Sequence, residues 1–421
     1  MHYMDRKRAH VLFVPNEDGF GPSALTSNLV KGLLRLKPNW QVTVWNRSRL
    51  KYNQTTYKRE ITAGQLAVES VWNIIELVKG TGQVLVERTF ESLKGYLKLS
   101  DTYAEDRRFQ KFDLVVDFGV PAAVKWARRT GMTTLSVFDH SWSLSLEMLL
   151  QNTPGILGHT TKKRNAEQLI EVIRADERLT ERLFLFPAFI SPPRYLDYWQ
   201  KLLGVERVTS IDGVFGPLLE TDSNLLSCRR PIGARQVFLQ GGNTPAWDHI
   251  LCRTASLLVA NPEALSVHDV GLTIYIPNKL RDEQEIRRLL DTANDRVVVV
   301  DALERGAVCK LMSEIDFLVT RAGGGTVNDA VALRVPMLCV EEPLQRQVQA
   351  ILAECLARNM AISIDMASFT DNPLAAILSS LDRQTSFQRI STAMSSIPQH
   401  AEMSIIAEIV RLAERSALSQ V

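Results

Sequence analysis

Short unbroken apolar runs alternate along this chain with longer segments whose apolar positions recur every third or fourth residue. The first run, AHVLFVP at residues 9–15, suits a strand buried on both faces. Residues 23–36 follow with Leu25, Leu29, Val30, Leu33 and Leu34 at helical spacing, and QVTVWN at 41–46 is β-branched and alternating. Strand, helix and strand over this length predict a βαβ unit. Residues 66–78 and 86–99 are predicted helical. The rhythm returns with a strand at FDLVVDFG (112–119) and a helix at PAAVKWARRTG (121–131), opened by Pro121 and closed by Gly131. Strands at TTLSVFDHSW (133–142) and ERLFLFPAF (181–189) complete this half.

Residues 210–233 are rich in turn formers and lack a period, so they mark a boundary. A second strand–helix series then starts afresh, with strands at QVFLQ (236–240), LTIYIP (272–277), RVVVVD (296–301), DFLVT (316–320) and PMLCVE (336–341). Residues 401–418 carry a 3.6-residue period and predict a C-terminal amphipathic helix. The expected fold class is α/β, with two Rossmann-like domains that each hold a parallel sheet. The domains are placed at 1–222 and 223–395, with a terminal helical segment at 396–421.

Composition agrees with this division. A chain of 421 residues is too long for one ordinary core and suits two. Lys and Arg number 49 against 47 Asp and Glu, a balance that gives no ground for a nucleic-acid or acidic partner. The five cysteines are odd in number and form no Cys-x-x-Cys pair, which fits buried thiols in a reducing compartment. The opening apolar run is too short for a signal peptide, and no segment reaches the roughly 18–20 apolar residues of a membrane span. The expected location is cytoplasmic, with peripheral contact to a membrane surface left open. The histidines show no His-x-x-x-His spacing, so no zinc site is expected. Arg47, Arg49, Lys51, Lys58 and Arg59 form either a solvated loop or an acceptor-binding one. Trp72, Phe90 and Tyr96 are either core residues or an acceptor lining.

Three loops after strands carry glycine. Glycine lets the backbone approach a ligand closely, and the next helix turns its free N–H groups and positive dipole end towards it. The first loop, PNEDGFGPSAL, contains Gly19 and Gly21 in a Gly-x-Gly-x-x-Ala string. It departs from the dinucleotide fingerprint, because Pro15-Asn16-Glu17-Asp18 separates strand from glycine. The second strand also ends in Asn46-Arg47 where an acid belongs. This loop is either a tight turn capped by Ser23 or a ligand lining. The second loop holds Gly241, Gly242 and Asn243 before Pro245 opens a helix, a plausible oxyanion or phosphate contact. The third runs Arg321-Ala322-Gly323-Gly324-Gly325-Thr326 into a helix bearing Asp329. That spacing suits a diphosphate on the backbone N–H groups and ribose hydroxyls on the carboxylate. The alternative is an acid stabilising its own helix dipole.

Taken together, the string CKLMSEIDFLVTRAGGGTVNDAVALRVPMLCVEEPLQRQVQAILAECLARNMAISI resembles the nucleotide-sugar half of GT-B glycosyltransferases of the UDP-glycosyltransferase and MurG-like families. The shared order is an Asp before a strand, a Gly-rich loop with Thr, an acid on the helix, a Val-Pro strand entry and a Gln-rich patch. The string covers residues 309–364. The N-terminal half is similar only in rhythm and in its first glycine loop. The resemblance implies two Rossmann-like domains facing a cleft, donor site in the C-terminal half and acceptor site in the N-terminal half. It implies a base held near Asp301-Ala302-Leu303, diphosphate at Gly324-Gly325-Thr326 with Gly241 and Gly242, and ribose on Asp329. It also implies a terminal helix that crosses back onto the first domain.

The chain departs from that pattern in three places. Many relatives carry a catalytic His in the first loop, where this chain has Phe20-Gly21-Pro22. Glu17 or Asp18 is then the first candidate base, and Asp117, Asp139 and His140, at or just after strand ends, are the next. The sugar-reading patch is Gln345-Arg346-Gln347, with an unusual Arg. No Asp-x-Asp ends a strand, which agrees with a metal-independent reaction needing no cofactor beyond the donor substrate. The expected activity is inverting, hexosyltransferase-like transfer from a nucleotide-diphosphate sugar such as a UDP-sugar to an unidentified acceptor. The alternatives are an epimerase or hydrolase of the same architecture and a non-catalytic partner subunit.

Overall fold

A computed structural model of the chain describes residues 8–16, 21–71, 86–103, 112–138, 140–151, 160–186, 193–217, 230–242, 244–300, 305–342 and 345–419. These residues form two compact units. One runs to Gly213 and takes back the chain from His400 onwards; the other is Val214–Gln399.

The first unit is built on a wholly parallel sheet of seven strands. They are β1 (His10–Pro15), β2 (Gln41–Trp45), β3 (Leu66–Glu69), β4 (Leu114–Phe118), β5 (Thr133–Phe138), β6 (Leu183–Leu185) and β7 (Val208–Ser210). Their spatial order is β3-β2-β1-β4-β5-β6-β7. Val11, Leu12, Phe13 and Val14 are all buried, as a strand covered on both faces requires.

The second unit repeats the plan with six parallel strands. They are β8 (Arg235–Gln240), β9 (Val270–Tyr275), β10 (Val297–Val300), β11 (Phe317–Thr320), β12 (Met337–Glu341) and β13 (Ala361–Asp365), ordered β10-β9-β8-β11-β12-β13.

The same polar device sets the register of the central pair in both sheets. Asp113, just before β4, accepts the His10 N–H of β1 at 2.8 Å. Asp316, just before β11, accepts the Gln236 N–H of β8 at 2.6 Å. Each aspartate also gives its own N–H to the carbonyl of the residue it holds, at 2.8 Å in both cases.

The structure corrects several expectations. Residues 66–69 are a strand rather than the start of a helix. Leu66 to Glu69 pair with Val42 to Trp45, and Glu69 accepts the Trp45 indole N–H at 2.9 Å, so an available sheet edge overrides a helical pattern. The remainder of that predicted helix, including Trp72, lies outside the described residues. The strand expected over 133–142 ends at Phe138, and Trp142 already opens the helix Trp142–Gln151. The strand expected over 181–189 is only Leu183–Leu185, and β7 and β13 were not anticipated. Phe90 and Tyr96 are core residues packed with Trp45, Phe112 and Trp126. The Tyr96 hydroxyl accepts the Ala122 N–H at 2.6 Å.

The terminal helix Glu402–Ser419 belongs to the first unit. It lies against the helix Gly21–Leu36, where Gly32 leaves room for Ile406, and Lys37 pairs with Glu414 at 2.7 Å. Cys309, Cys339 and Cys355 are buried and take part in no disulfide, and burial pushes Cys355 up to about 12.

Candidate functional site

Strand order reverses direction in each sheet, at β1/β4 and at β8/β11. Loops leaving the carboxyl ends of two such strands part to opposite sides and open a crevice, the usual ligand position in open α/β sheets. The glycine loops of this chain fall at these points.

In the second unit, β8 and β11 end in register, with Leu239 beside Val319 and Gln240 beside Thr320. Each is followed by a helix whose first turn has no side-chain cap. Thr244 is the N-cap of Pro245–Ala260 and Gly323 that of Gly324–Leu333. Thr244 could cap with its hydroxyl, but that group donates to Glu342 Oε1 at 3.4 Å instead. Gly323 has nothing to cap with. Its N–H closes a tight turn on the Arg321 carbonyl at 2.8 Å, and its carbonyl takes the Val327 N–H. Two helix N-termini that their own N-cap side chains leave uncapped therefore follow neighbouring strands, a ready anion site.

The glycines here are sterically required. A Cβ on Gly241 would lie 1.7 Å from the Trp247 ring, and Gly242 has φ +79. Arg321 runs between the two loops: its Cδ is 3.9 Å from a Gly242 Cβ position and its Nε 3.9 Å from that of Gly323. Its guanidinium pairs with the buried Glu342 at 3.4 Å. Thr326 lies in the first turn of the same helix, and Gln345, buried, is the N-cap of Arg346–Ala357. The Gln240 side-chain oxygen and the Trp247 indole N–H, on either side of Gly241, are buried without a hydrogen-bond partner among the described residues.

Asp329 sits in the second turn of its helix and is already engaged. Its Oδ1 receives Arg305 and, at 3.1 Å, the amide of Asn328. Asn328 in turn holds the backbone of Phe215, accepting its N–H at 2.9 Å. Asn243 and Leu303 lie outside the described residues, as does the side chain of Arg346.

In the first unit, Gly21 opens the helix Gly21–Leu36 beside the β1/β4 switch point. Glu17, Asp18 and Asp139 lie outside the described residues. Asp117, at the end of β4, is buried, accepts the Val120 N–H at 3.0 Å and takes the Ser136 hydroxyl. Burial raises it to about 7 against these hydrogen bonds. His140 follows β5. Its ring meets Trp142 edge-on at 4.7 Å and faces Tyr195 at 6.4 Å, and its carbonyl accepts the Trp199 indole at 3.3 Å.

The turn after His140 is fixed by Glu177, which sequence reasoning missed. This buried carboxylate accepts the Trp142 N–H at 2.8 Å, the Ser143 N–H at 3.3 Å and the hydroxyls of Ser141 and Ser143. Burial raises its pKa, and the Ser143, Ser141 and Trp142 hydrogen bonds oppose that rise. Ser143 also meets Tyr198, whose hydroxyl accepts from Arg174 at 3.1 Å. Glu177 ends the helix Thr160–Glu177. Glu342 was visible only as one of two adjacent glutamates.

No protein-family model and no curated sequence matches the chain. Solved structures do match over nearly its whole length. The glycotransferase of kitacinnamycin superposes with TM-score 0.59 at 16% identity, over 97% of this chain and 100% of its own. The spinosyn rhamnosyltransferase SpnG complexed with thymidine diphosphate gives 0.57 at 15%, over 95% and 100%. Phytolacca americana UGT2 complexed with UDP-2fluoro-glucose and pterostilbene gives 0.62 at 11%, over 96% and 99%. The chain has the GT-B fold. Identities this low establish architecture, and activity has to be argued from the site. Among the described residues no group of His, Cys, Asp or Glu is arranged to hold a metal, and no helix is long and apolar enough to cross a membrane.

Proposed function

We propose that this GT-B chain is a glycosyltransferase that takes its sugar from a nucleotide-diphosphate donor bound at the β8/β11 switch point. The observation that carries the reading is the pair of uncapped helix N-termini, at Thr244 and Gly323, with Arg321 between their loops. The neighbours crystallised with thymidine diphosphate and with a UDP-sugar share this architecture.

The reaction is displacement at the anomeric carbon. An acceptor oxygen forms the new glycosidic bond, the bond from that carbon to the β-phosphate oxygen breaks, and the nucleoside diphosphate leaves with the electron pair. Charge grows on the leaving oxygens, and fixed N–H dipoles with Arg321 stabilise it where it develops. That positive field can do the work of a divalent cation, so transfer is expected to be metal-independent; inversion is expected from the resemblance to families with inverting members. The acceptor proton goes to His140 among the described candidates, a step worth about 10²–10⁴ in rate. Gly324, Gly325 and Thr326 cradle the diphosphate, and Gln345, the buried N-cap of the helix Arg346–Ala357, faces the sugar.

Titration calorimetry with UDP, dTDP and GDP, with and without Mg²⁺, tests the reading on wild type and on Arg321→Met. One nucleotide should bind in EDTA, and R321M should weaken it at least tenfold. If none of the three binds, the glycine loops have another use and the donor site is lost. Release of the nucleoside diphosphate only when an acceptor is supplied separates a transferase from a hydrolase.

A further inference from the structure

Glu342 is a further charged group at this switch point and has no role in the reaction as derived. It is buried at 3% exposure, just after β12, yet it touches both loops of the crevice. One carboxylate oxygen takes Thr244 at 3.4 Å and the other takes Arg321 Nη1 at 3.4 Å. Neither contact is short, and the Arg321 side chain is 18% exposed, so the guanidinium is held without being sealed in. A buried carboxylate beside a diphosphate site is a cost to every anion that enters, because low-dielectric surroundings leave their repulsion poorly screened.

We infer that Glu342 is a specificity-determining residue: it cancels the Arg321 charge in the empty site and so disfavours free polyanions relative to a sugar-esterified diphosphate. This rests on the donor site proposed above. Two features make a carboxylate useful there. Free diphosphate carries one more ionisable oxygen than its sugar ester, so a fixed negative charge penalises it more. Backbone N–H donors at two helix ends bind by shape and need no net positive charge. The arrangement therefore takes the donor by geometry and lets the more highly charged product go.

The test uses inorganic pyrophosphate and the donor nucleoside diphosphate as calorimetric probes on wild type, Glu342→Gln, Arg321→Met and the double variant. Glu342→Gln keeps the shape and removes the charge, so pyrophosphate should bind it at least tenfold tighter than wild type, about 1.4 kcal/mol. The gain should vanish in the double variant. Glu342→Asp, which keeps the charge and loosens the contacts, should show no gain. Glu342→Met carries the same expectation as the glutamine variant if that one fails to fold. Diphosphate binding to wild type with no pyrophosphate gain in the folded variants overturns this inference alone, leaving Glu342 a link between loops. Failure of the nucleoside diphosphate to bind any of the four proteins overturns the donor site as well.

Discussion

Arg305 and Asp329 form an ion pair with almost no access to solvent, at 3% and 9% side-chain exposure. Asp329 is the carboxylate whose position four residues past the last glycine suggests a hold on ribose. Its Oδ1 is occupied by Arg305 and Asn328 before any ligand arrives. Removing it would break a buried ion pair, a change that typically costs about 3–5 kcal/mol. Asp329→Ala should therefore unfold at much lower urea than wild type, and the double variant Asp329→Ala/Arg305→Met should recover part of the loss. Loss of nucleotide binding in Asp329→Ala is then informative only beside the double variant: binding that returns with stability indicates a structural role, and binding that stays lost indicates ribose contact.

Asp117 makes a prediction about pH. Its folded pKa, about 7, is above the ordinary aspartate value of 3.8, so folding favours the protonated acid. Its stabilising effect is fully present below pH ~4 and is lost as pH rises through 7, because the unfolded chain releases the proton first. A shift of roughly three units corresponds to at most about 4 kcal/mol. Asp117→Asn keeps an oxygen for the Val120 N–H and stays neutral. Urea denaturation should find this variant more stable than wild type at pH 8, with the difference shrinking towards pH 5. An unchanged difference across that range would mean the carboxylate is ionised throughout.

Gly241 tests the crevice itself. Any Cβ there would overlap the Trp247 ring at 1.7 Å, and both residues are buried. Gly241→Ala should destabilise the protein by about 1–3 kcal/mol or more, the range for overpacking a filled site. Trp247→Leu should lift much of that penalty in the double variant. Thermal melts of the four proteins would measure the coupling, and additive effects would mean the ring moves aside freely.

What the sequence disclosed and what it hid divide along physical lines. Buried parallel strands such as β1, β8 and β11 carry continuous apolar runs and are legible, as are helices with Pro at the start or a strong period. β3 was missed because its four residues also fit a helix, and only the exposed edge of β2 decides between them. β7, three residues long, carries too little pattern to identify. The glycine loops were legible because a backbone need writes itself into composition. Glu177 and Glu342 were not, since a buried carboxylate has the same letter as a solvated one until its donors are seen. Asp113 and Asp316 show the same limit: nothing local marks either as the partner of a strand far back in the chain.

Glu177 gives the last prediction. It draws together the Trp142 and Ser143 N–H groups and the Ser141 and Ser143 hydroxyls, and so fixes the turn immediately after His140. Glu177→Ala would leave these buried donors unpaired, at about 1–3 kcal/mol for each one that finds no water. It should be severely destabilised. Glu177→Gln is the useful variant, because its side-chain oxygen can still accept the Trp142 N–H. If His140 takes the acceptor proton, Glu177→Gln should lower kcat while leaving the calorimetric affinity for donor nucleotide unchanged, since the donor loops lie on the other unit. His140→Ala should lower kcat by about 10²-fold or more, and further loss on adding Glu177→Gln should be small, because both act on one step. Fully additive losses would separate the two residues, and an unaffected His140→Ala would move the proton transfer to Glu17, Asp18 or Asp139.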